Sequence, residues 1–210
     1  MMQNSRQICQ DKFGEWRISA SVLSIFLGFV LVSAILVLPS FANPDKAENK
    51  EANNQMIMAA QKNDLQEMKE ALKNGADVNT RTESGQTVLH FVQDSALAKL
   101  IIEKGANVNL KEHDFEMTPI YFHEIAIAQL LYKAGADINA RAKKGITPLM
   151  WYTYSNYLDG IKFLIIKGAH INAVNGEDST ALDIAVRFEY AELAQYLKSV
   201  GAKTAAELIK

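Results

Sequence analysis

Four histidines are the first residues to weigh for chemistry, because an imidazole can act as a general base, a metal ligand or a proton carrier near neutral pH. His90, His113, His123 and His170 are scattered along the chain, and no two of them have the HxxxH spacing that brings two ring nitrogens to one metal. Serines and aspartates are plentiful, but there is no GxSxG nucleophile elbow, no phosphate-cradling Walker loop and no HExxH helix. Cys9 is the only cysteine, which excludes an intramolecular disulfide, a CxxC zinc site and a thiol redox pair. The reading is therefore of a chain that is not an enzyme, with no catalytic residue, no cofactor and no metal site. Its rival is a haem- or metal-handling accessory protein or enzyme of the cell envelope, working through the histidines and tyrosines.

The composition does not favour nucleic acid as a partner. With 22 Lys+Arg against 24 Asp+Glu in 210 residues, and a pI near 6.1, the chain has no overall basic field to neutralise phosphates. At 49% hydrophobic and 22% charged it falls in the ordinary globular class, which excludes disorder and collagen-like structure.

Those averages conceal an apolar N-terminal run. From Ile18 no charged side chain appears until Asp45, and Arg6, Lys12 and Arg17 flank the run on its N-terminal side. Such a flank stays in the cytoplasm and sends the remainder of the chain across the membrane. The run ends in Pro39-Ser40-Phe41-Ala42, with small residues at −3 and −1 of a cut between Ala42 and Asn43. A cleaved signal peptide over residues 1–42 is the favoured reading. Ile18 to Leu38 is also long enough to span a bilayer, so an uncleaved inner-membrane anchor stays open. In the first case the chain is periplasmic or otherwise outside the cytoplasm; in the second, this segment is its only membrane contact. Residues 43–52, NPDKAENKEA, lack apolar periodicity and read as a polar linker.

After the linker the chain repeats itself. Glycine-alanine pairs recur at Gly75, Gly105, Gly135, Gly168 and Gly201, and a second ruler runs in phase at Thr87-Val-Leu-His90, Thr118-Pro-Ile-Tyr121, Thr147-Pro-Leu-Met150 and Thr180-Ala-Leu-Asp183. Threonine at a helix start offers a hydroxyl to cap it, and proline in the next position loses no needed N–H. The apolar residues Ile161, Phe163, Leu164 and Ile165 mark a second helix, which Gly168 can stop in the left-handed conformation. Each unit is then a helix pair too short to bury its own apolar face, so the core forms only between stacked neighbours.

These motifs resemble the ankyrin repeat, with its T-P-L-H-x-A start and its G-A-D-V-N after the second helix. Gly75-Ala-Asp-Val-Asn79, Gly105-Ala-Asn-Val-Asn109 and Gly135-Ala-Asp-Ile-Asn139 carry the likeness; Gly168-Ala-His-Ile-Asn172 departs from it at His170, and Gly201-Ala-Lys-Thr204 departs further. The resemblance implies an all-α solenoid over residues 53–210, in five repeats at about 53–84, 85–114, 115–144, 145–177 and 178–210. It also implies that His90 is structural, bonding within its turn.

The Thr-to-Gly interval is 18 and 17 residues in repeats two and three, against 21 in repeats four and five, which predicts shortened first helices and a notch in the groove. The ends read as caps: polar Gln61, Lys62, Gln66 and Lys69 on the first repeat, and a capping box at Thr204 to Glu207 that starts a helix placing Leu208 and Ile209 over the last one. On that reading the array is complete.

The likeness further implies binding through the concave face, built from turn tips and first helices. The tips are Glu83, Ser84 and Gln86; Asp114, Phe115 and Met117; Lys143, Lys144 and Ile146; and Glu177 and Ser179. The helix ends give Tyr154 and Ser155, then Arg187 and Phe188. Phe115 and Met117 are unexpected in a turn, where Glu116 also replaces the usual glycine, and they suggest a contact site. A column of Phe91, Phe122, Trp151 and Ile184 reads either as half-buried packing or as a stripe on the groove, and Trp151, Tyr152, Tyr154 and Tyr157 form a dense aromatic cluster. Phe115, Met117, Lys143, Lys144, Trp151, Tyr154, Arg187 and Phe188 are the candidate partner-binding residues of a monomeric protein-interaction module.

The first expected outcome concerns export. The mature protein from its native host should begin at Asn43 and be found outside the membrane pellet. Intact-mass measurement decides this, and a mass that retains residues 1–42 in the membrane fraction would establish the anchor instead.

Overall fold

The computed structural model describes residues 44–210, with side chains from residue 50 onward. The apolar run, Cys9 and the cut between Ala42 and Asn43 lie outside the described residues. The described part is helical, with α1 (Pro44–Lys62), α2 (Leu65–Lys73), α3 (Ser95–Glu103), α4 (Ile125–Lys133), α5 (Pro148–Tyr154), α6 (Leu158–Ile166), α7 (Ala181–Arg187), α8 (Ala191–Ser199) and α9 (Ala205–Leu208). Two short 3₁₀ segments, Val88–His90 and Pro119–Phe122, and a tight turn at Lys143–Gly145 that is left-handed at Lys144 and Gly145 complete it.

Helix α1 takes in nearly all of the segment read as a polar linker. Apolar periodicity reports packing, not helicity, and the Ala, Glu and Lys of this stretch are good helix formers behind a proline that needs no amide partner at the helix start. The buried face of α1 begins at Ala52 and Met56.

The elements stack in two columns. First elements pack on first elements, from α1 through the segments Val88–His90 and Pro119–Phe122 to α5 and α7; second helices α2, α3, α4 and α6 pack in sequence beside them. Each column has one apolar residue per unit at its centre: Leu89, Ile120, Leu149 and Leu182 in the first, and Ile101, Leu131, Leu164 and Leu197 in the second, each at most 1% exposed. Full burial of such a side chain is worth roughly 1.5–3 kcal/mol, and every one of these gains comes partly from a neighbouring unit.

The shortened intervals have the expected effect. Where α5 and α7 have seven residues each, the first elements of repeats two and three are 3₁₀ segments of three and four residues. The threonine caps form at Thr147, which accepts the Met150 N–H, at Thr180, which accepts that of Asp183, and at Thr204, which accepts that of Glu207. Thr118 departs from the pattern, since its buried hydroxyl has no hydrogen-bond partner among the described residues.

Asparagines tie the units together along one edge. Asn53 Oδ1 accepts the Asp77 N–H, Asn79 that of Asn107, Asn109 that of Asp137, Asn139 that of His170 and Asn172 that of Lys203, all at 2.7–2.8 Å. The amide groups of Asn109, Asn139 and Asn172 also donate to the carbonyls of Gly135, Gly168 and Gly201. Each of these carbonyls belongs to the glycine that ends a second helix with positive φ, so one side chain fixes the next unit's helix exit in both directions.

The C-terminal cap is looser than expected. Its capping box forms and Ala205 is buried, but Leu208 is 39% and Ile209 86% exposed. Four residues cannot cover an end face that a full unit covers elsewhere: Val186 is 52% exposed, whereas Thr153, at the same place one repeat earlier, is fully buried.

Replacing Asn139 with Ala should lower unfolding stability by about 1–2 kcal/mol, because it removes both rungs between repeats four and three. Urea denaturation should show this as a shifted midpoint with an unchanged slope. An exposed asparagine off the ladder, Asn54, should cost under about 0.5 kcal/mol on the same change.

Candidate functional site

The turn tips are built from a hairpin whose second-last residue before the threonine is left-handed. Gly85 and Gly145 adopt this conformation at no steric cost, while Glu116 and Asp178 adopt it at φ of 57° and 51° in spite of their side chains. In the turn between repeats two and three the strain is offset by a buried carboxylate. Glu112, 3% exposed, accepts the N–H groups of Asp114, Phe115 and Met117, and so holds the loop from inside at three points. Asn175 and Thr82 do smaller versions of this in their turns, and Ala142 leaves its turn without one.

Neighbouring tips are bonded to one another. His113 N–H donates to Ser84 O, Lys143 N–H to Phe115 O and Gly176 N–H to Lys144 O, at 2.7–2.8 Å. Along the base of the tips Arg81 reaches the Lys111 carbonyl, Lys111 that of Arg141 and Arg141 that of Val174. Phe115, Lys143 and Lys144 are thereby held side by side, Phe115 half-buried and both lysines exposed. Lys143 Nζ donates to the Asp114 carbonyl at 2.6 Å, and Lys144 Nζ pairs with Glu177 at 2.8 Å.

Met117 does not belong to this surface. It is 4% exposed and lies in the core, because it closes the hairpin: its N–H and C=O both bond Glu112, and its carbonyl also takes the Nε2–H of His90. Tyr154 is likewise interior at 4% exposure. Its carbonyl accepts the Tyr190 hydroxyl and its ring meets Phe188 edge-on at 5.8 Å, with Phe188 stacked in turn on Tyr190 at 5.9 Å. Those rings join repeat four to repeat five. Arg187 is exposed and donates to Ser179 Oγ at 2.9 Å, linking its helix end to its own tip. In the column of Phe91, Phe122, Trp151 and Ile184, the first three are half-buried and Ile184 is fully buried, as packing requires.

His90 shows what its motif position does. Its Nδ1 accepts the Thr87 N–H at 3.0 Å while Nε2 donates to Met117 O of the next tip. At the matching place Tyr121 donates to the carbonyls of Ala140 and Ile146, and Asp183 accepts the N–H groups of Thr180 and Ala205. Burial raises the Asp183 carboxyl, but those bonds, with the Thr180 hydroxyl and Arg187, outweigh it and hold it below the usual carboxylate range. At His90, Tyr121 and Asp183 this one position welds a unit to the next, while Met150, its occupant in repeat four, is buried in the apolar core.

The sequence profile for ankyrin repeats, written for three copies, matches residues 56–142 and again 117–207. The chain belongs to the ankyrin-repeat family. No curated protein matches it. Ankyrin repeats are protein-interaction units, so residues 56–207 form a protein-interaction module. Among the described residues no three His, Cys, Asp or Glu side chains are grouped to hold a metal ion, and His113 and His170 are separate and exposed.

This ankyrin array departs from regularity at the truncated first elements of repeats two and three, whose ends leave buried carbonyls with no helical partner. Side chains from the following repeat supply the missing donors. His123 Nε2–H bonds Leu89 O at 2.5 Å, and the Tyr152 hydroxyl, set between the carbonyls of Ile120 and His123, lies 2.9 and 2.6 Å from them. Tyr157 adds an acceptor for the Ile125 N–H at 3.3 Å. Burial pushes the Tyr152 phenol far above its ordinary range, which keeps the proton on the oxygen that must donate it. Much of the aromatic cluster is thus explained without a partner: Tyr152 and Tyr157 replace the turn that the neighbouring repeats lack. Gly160 belongs to the same device, because a Cβ there would sit 2.4 Å from Tyr157 Cδ1 and 2.5 Å from Tyr152 Cδ2.

An exposed helical glycine usually gains up to about 1 kcal/mol on replacement by alanine. At Gly160 the sign should reverse, with Gly160→Ala costing about 1–3 kcal/mol through displacement of the two rings. Tyr152→Phe should cost a similar amount by stranding buried carbonyls. Thermal melts of both variants check this, and a raised melting temperature for Gly160→Ala would show that the rings do not pack on that helix.

Proposed function

We propose that this protein is exported by its N-terminal apolar segment and works outside the cytoplasm as a monomeric, non-catalytic binding module. Its concave face captures a protein partner, in the role of a scaffold, an assembly factor or an immunity-type inhibitor. The observation that supports this best is the ribbon of bonded tips that sets Phe115 beside the exposed Lys143 and Lys144. A half-buried ring held on a bonded backbone loses little freedom when covered, and charged neighbours give orientation. Trp151 and Phe188, both half-buried, and Arg187, exposed, extend the same surface along α5 and α7.

The test uses the most exposed members, because the half-buried rings also contribute to packing. Lys143→Glu combined with Arg187→Glu should weaken partner capture from envelope extracts by roughly tenfold or more, since each reversed charge faces the partner's complementary one. Lys143 reaches the carbonyls of Asp114 and His113, and Arg187 reaches Ser179 Oγ, all exposed or half-exposed contacts, so the melting temperature should fall by no more than about 2–4 °C. Capture equal to wild type would place the binding surface elsewhere on the array.

A further inference from the structure

The second helices of the later repeats present a face that concave binding does not use. Ile166, at the end of α6, is 76% exposed, the most of any large apolar side chain among the described residues before the last few of the chain. Tyr132 on α4 and Tyr196 on α8 lie half-buried on either side. Each ring has an ammonium over it: Lys167 Nζ is 5.4 Å from the Tyr132 centroid, and Lys162 Nζ is 5.7 Å from that of Tyr196. A shallow cleft of about 280 Å³ between α4 and α6 is floored by Tyr132 and Phe163 and rimmed by Lys133 and Lys167.

Charge on this face is one-sided. Helix α4 has no acidic residue, and α6 and α8 have only Asp159 and Glu192, both in their first turns, at the opposite end from Ile166, Lys133 and Lys167. Helices α2 and α3, in contrast, carry Glu67, Glu70 and Glu103. Lysines that lay their stems over tyrosine rings around a projecting aliphatic chain have the composition of a protein surface at a membrane–water interface.

We propose that this convex face, centred on Ile166 and framed by Lys133, Lys162, Lys167, Tyr132 and Tyr196, docks on a bilayer rich in anionic lipid. Charge complementarity selects the occupant: the lysines meet headgroup phosphates while Ile166 enters the acyl boundary. Docking by the outer helices leaves the tips clear for a protein partner.

The test uses the full chain, with Cys9→Ser and a single new cysteine at Ile166→Cys carrying an environment-sensitive fluorophore. The probes are vesicles of phosphatidylcholine with and without phosphatidylglycerol. A second label at Val186→Cys, exposed on α7, controls for contact made by the apolar run alone. A blue shift at position 166 on anionic vesicles, absent at position 186 and on neutral vesicles, is the expected result. Lys162→Glu with Lys167→Glu should reduce partitioning roughly tenfold or more, and salt at about 0.5 M should do the same. Lys162→Gln with Lys167→Gln, a milder pair, should give an intermediate loss if the reversed pair folds poorly. Equal shifts at both labels, equal shifts on both lipids, or a shift that survives charge reversal would overturn the proposal. So would a shift produced by an acidic protein and not by vesicles.

Discussion

Everything in this array depends on the inability of one helix pair to bury its own apolar face. Leu89, Ile120, Leu149 and Leu182 are inaccessible only because each is covered from the next unit, so stability accumulates at the seams between repeats. That puts a strict demand on the register of the stack. The demand is met by hydrogen bonds that cross the seams at fixed places: the asparagine ladder at the helix exits, His90, Tyr121 and Asp183 at the helix starts, and backbone bonds between tips. Apolar contact tolerates sliding, whereas these bonds do not, since a shift of one residue would strand several donors together.

The truncation of repeats two and three tests that arrangement. Removing a helical turn takes away apolar surface and also exposes carbonyl oxygens that a helix would have satisfied. The solution is local and chemical: His123 and Tyr152 from later in the chain supply the missing donors, Tyr157 accepts the Ile125 N–H beside them, and a glycine in α6 leaves room for the two tyrosine rings. The expectation of a notch considers only the lost volume. The polar groups left behind dictate what fills the neighbourhood.

How much of the fold is legible in the sequence depends on the range of each interaction. The glycine-alanine and threonine rulers are legible because they report local geometry, a helix stop and a helix start, that residues impose on their own backbone. The shortened first elements are legible as missing residues. The asparagines are in view as part of a motif, but their bonds span 24 to 31 residues, and no local pattern shows them. Met117 defeats a reading as surface because hairpin residues obey neither helical nor strand periodicity: once Glu116 turns left-handed, the next side chain faces the core. Tyr154 does so for a related reason, since it occupies a helix-end position usually open in the family while Phe188 and Tyr190 of the next repeat cover it. Phe115, Lys143 and Lys144 do share one ribbon, as their common place in successive turns implies.

The same bonding that holds the tips also shapes what they offer. Lys143 donates to the Asp114 carbonyl and Lys144 pairs with Glu177, so neither ammonium waits unengaged for a partner. Exposed contacts of this kind are worth under about 1 kcal/mol, little enough for a partner's carboxylate to displace them. Until then they hold long side chains in a narrow range of positions, which lowers the entropy lost on binding. Rigid tips suit selection among partners better than accommodation of many, because a surface that cannot rearrange penalises every mismatched charge. The outer helices, where lysines lie loosely over tyrosines, lack that constraint. A fluid, laterally averaged anionic surface needs no fixed donor geometry, and the contrast between the two faces arises from how tightly each is bonded to its own backbone.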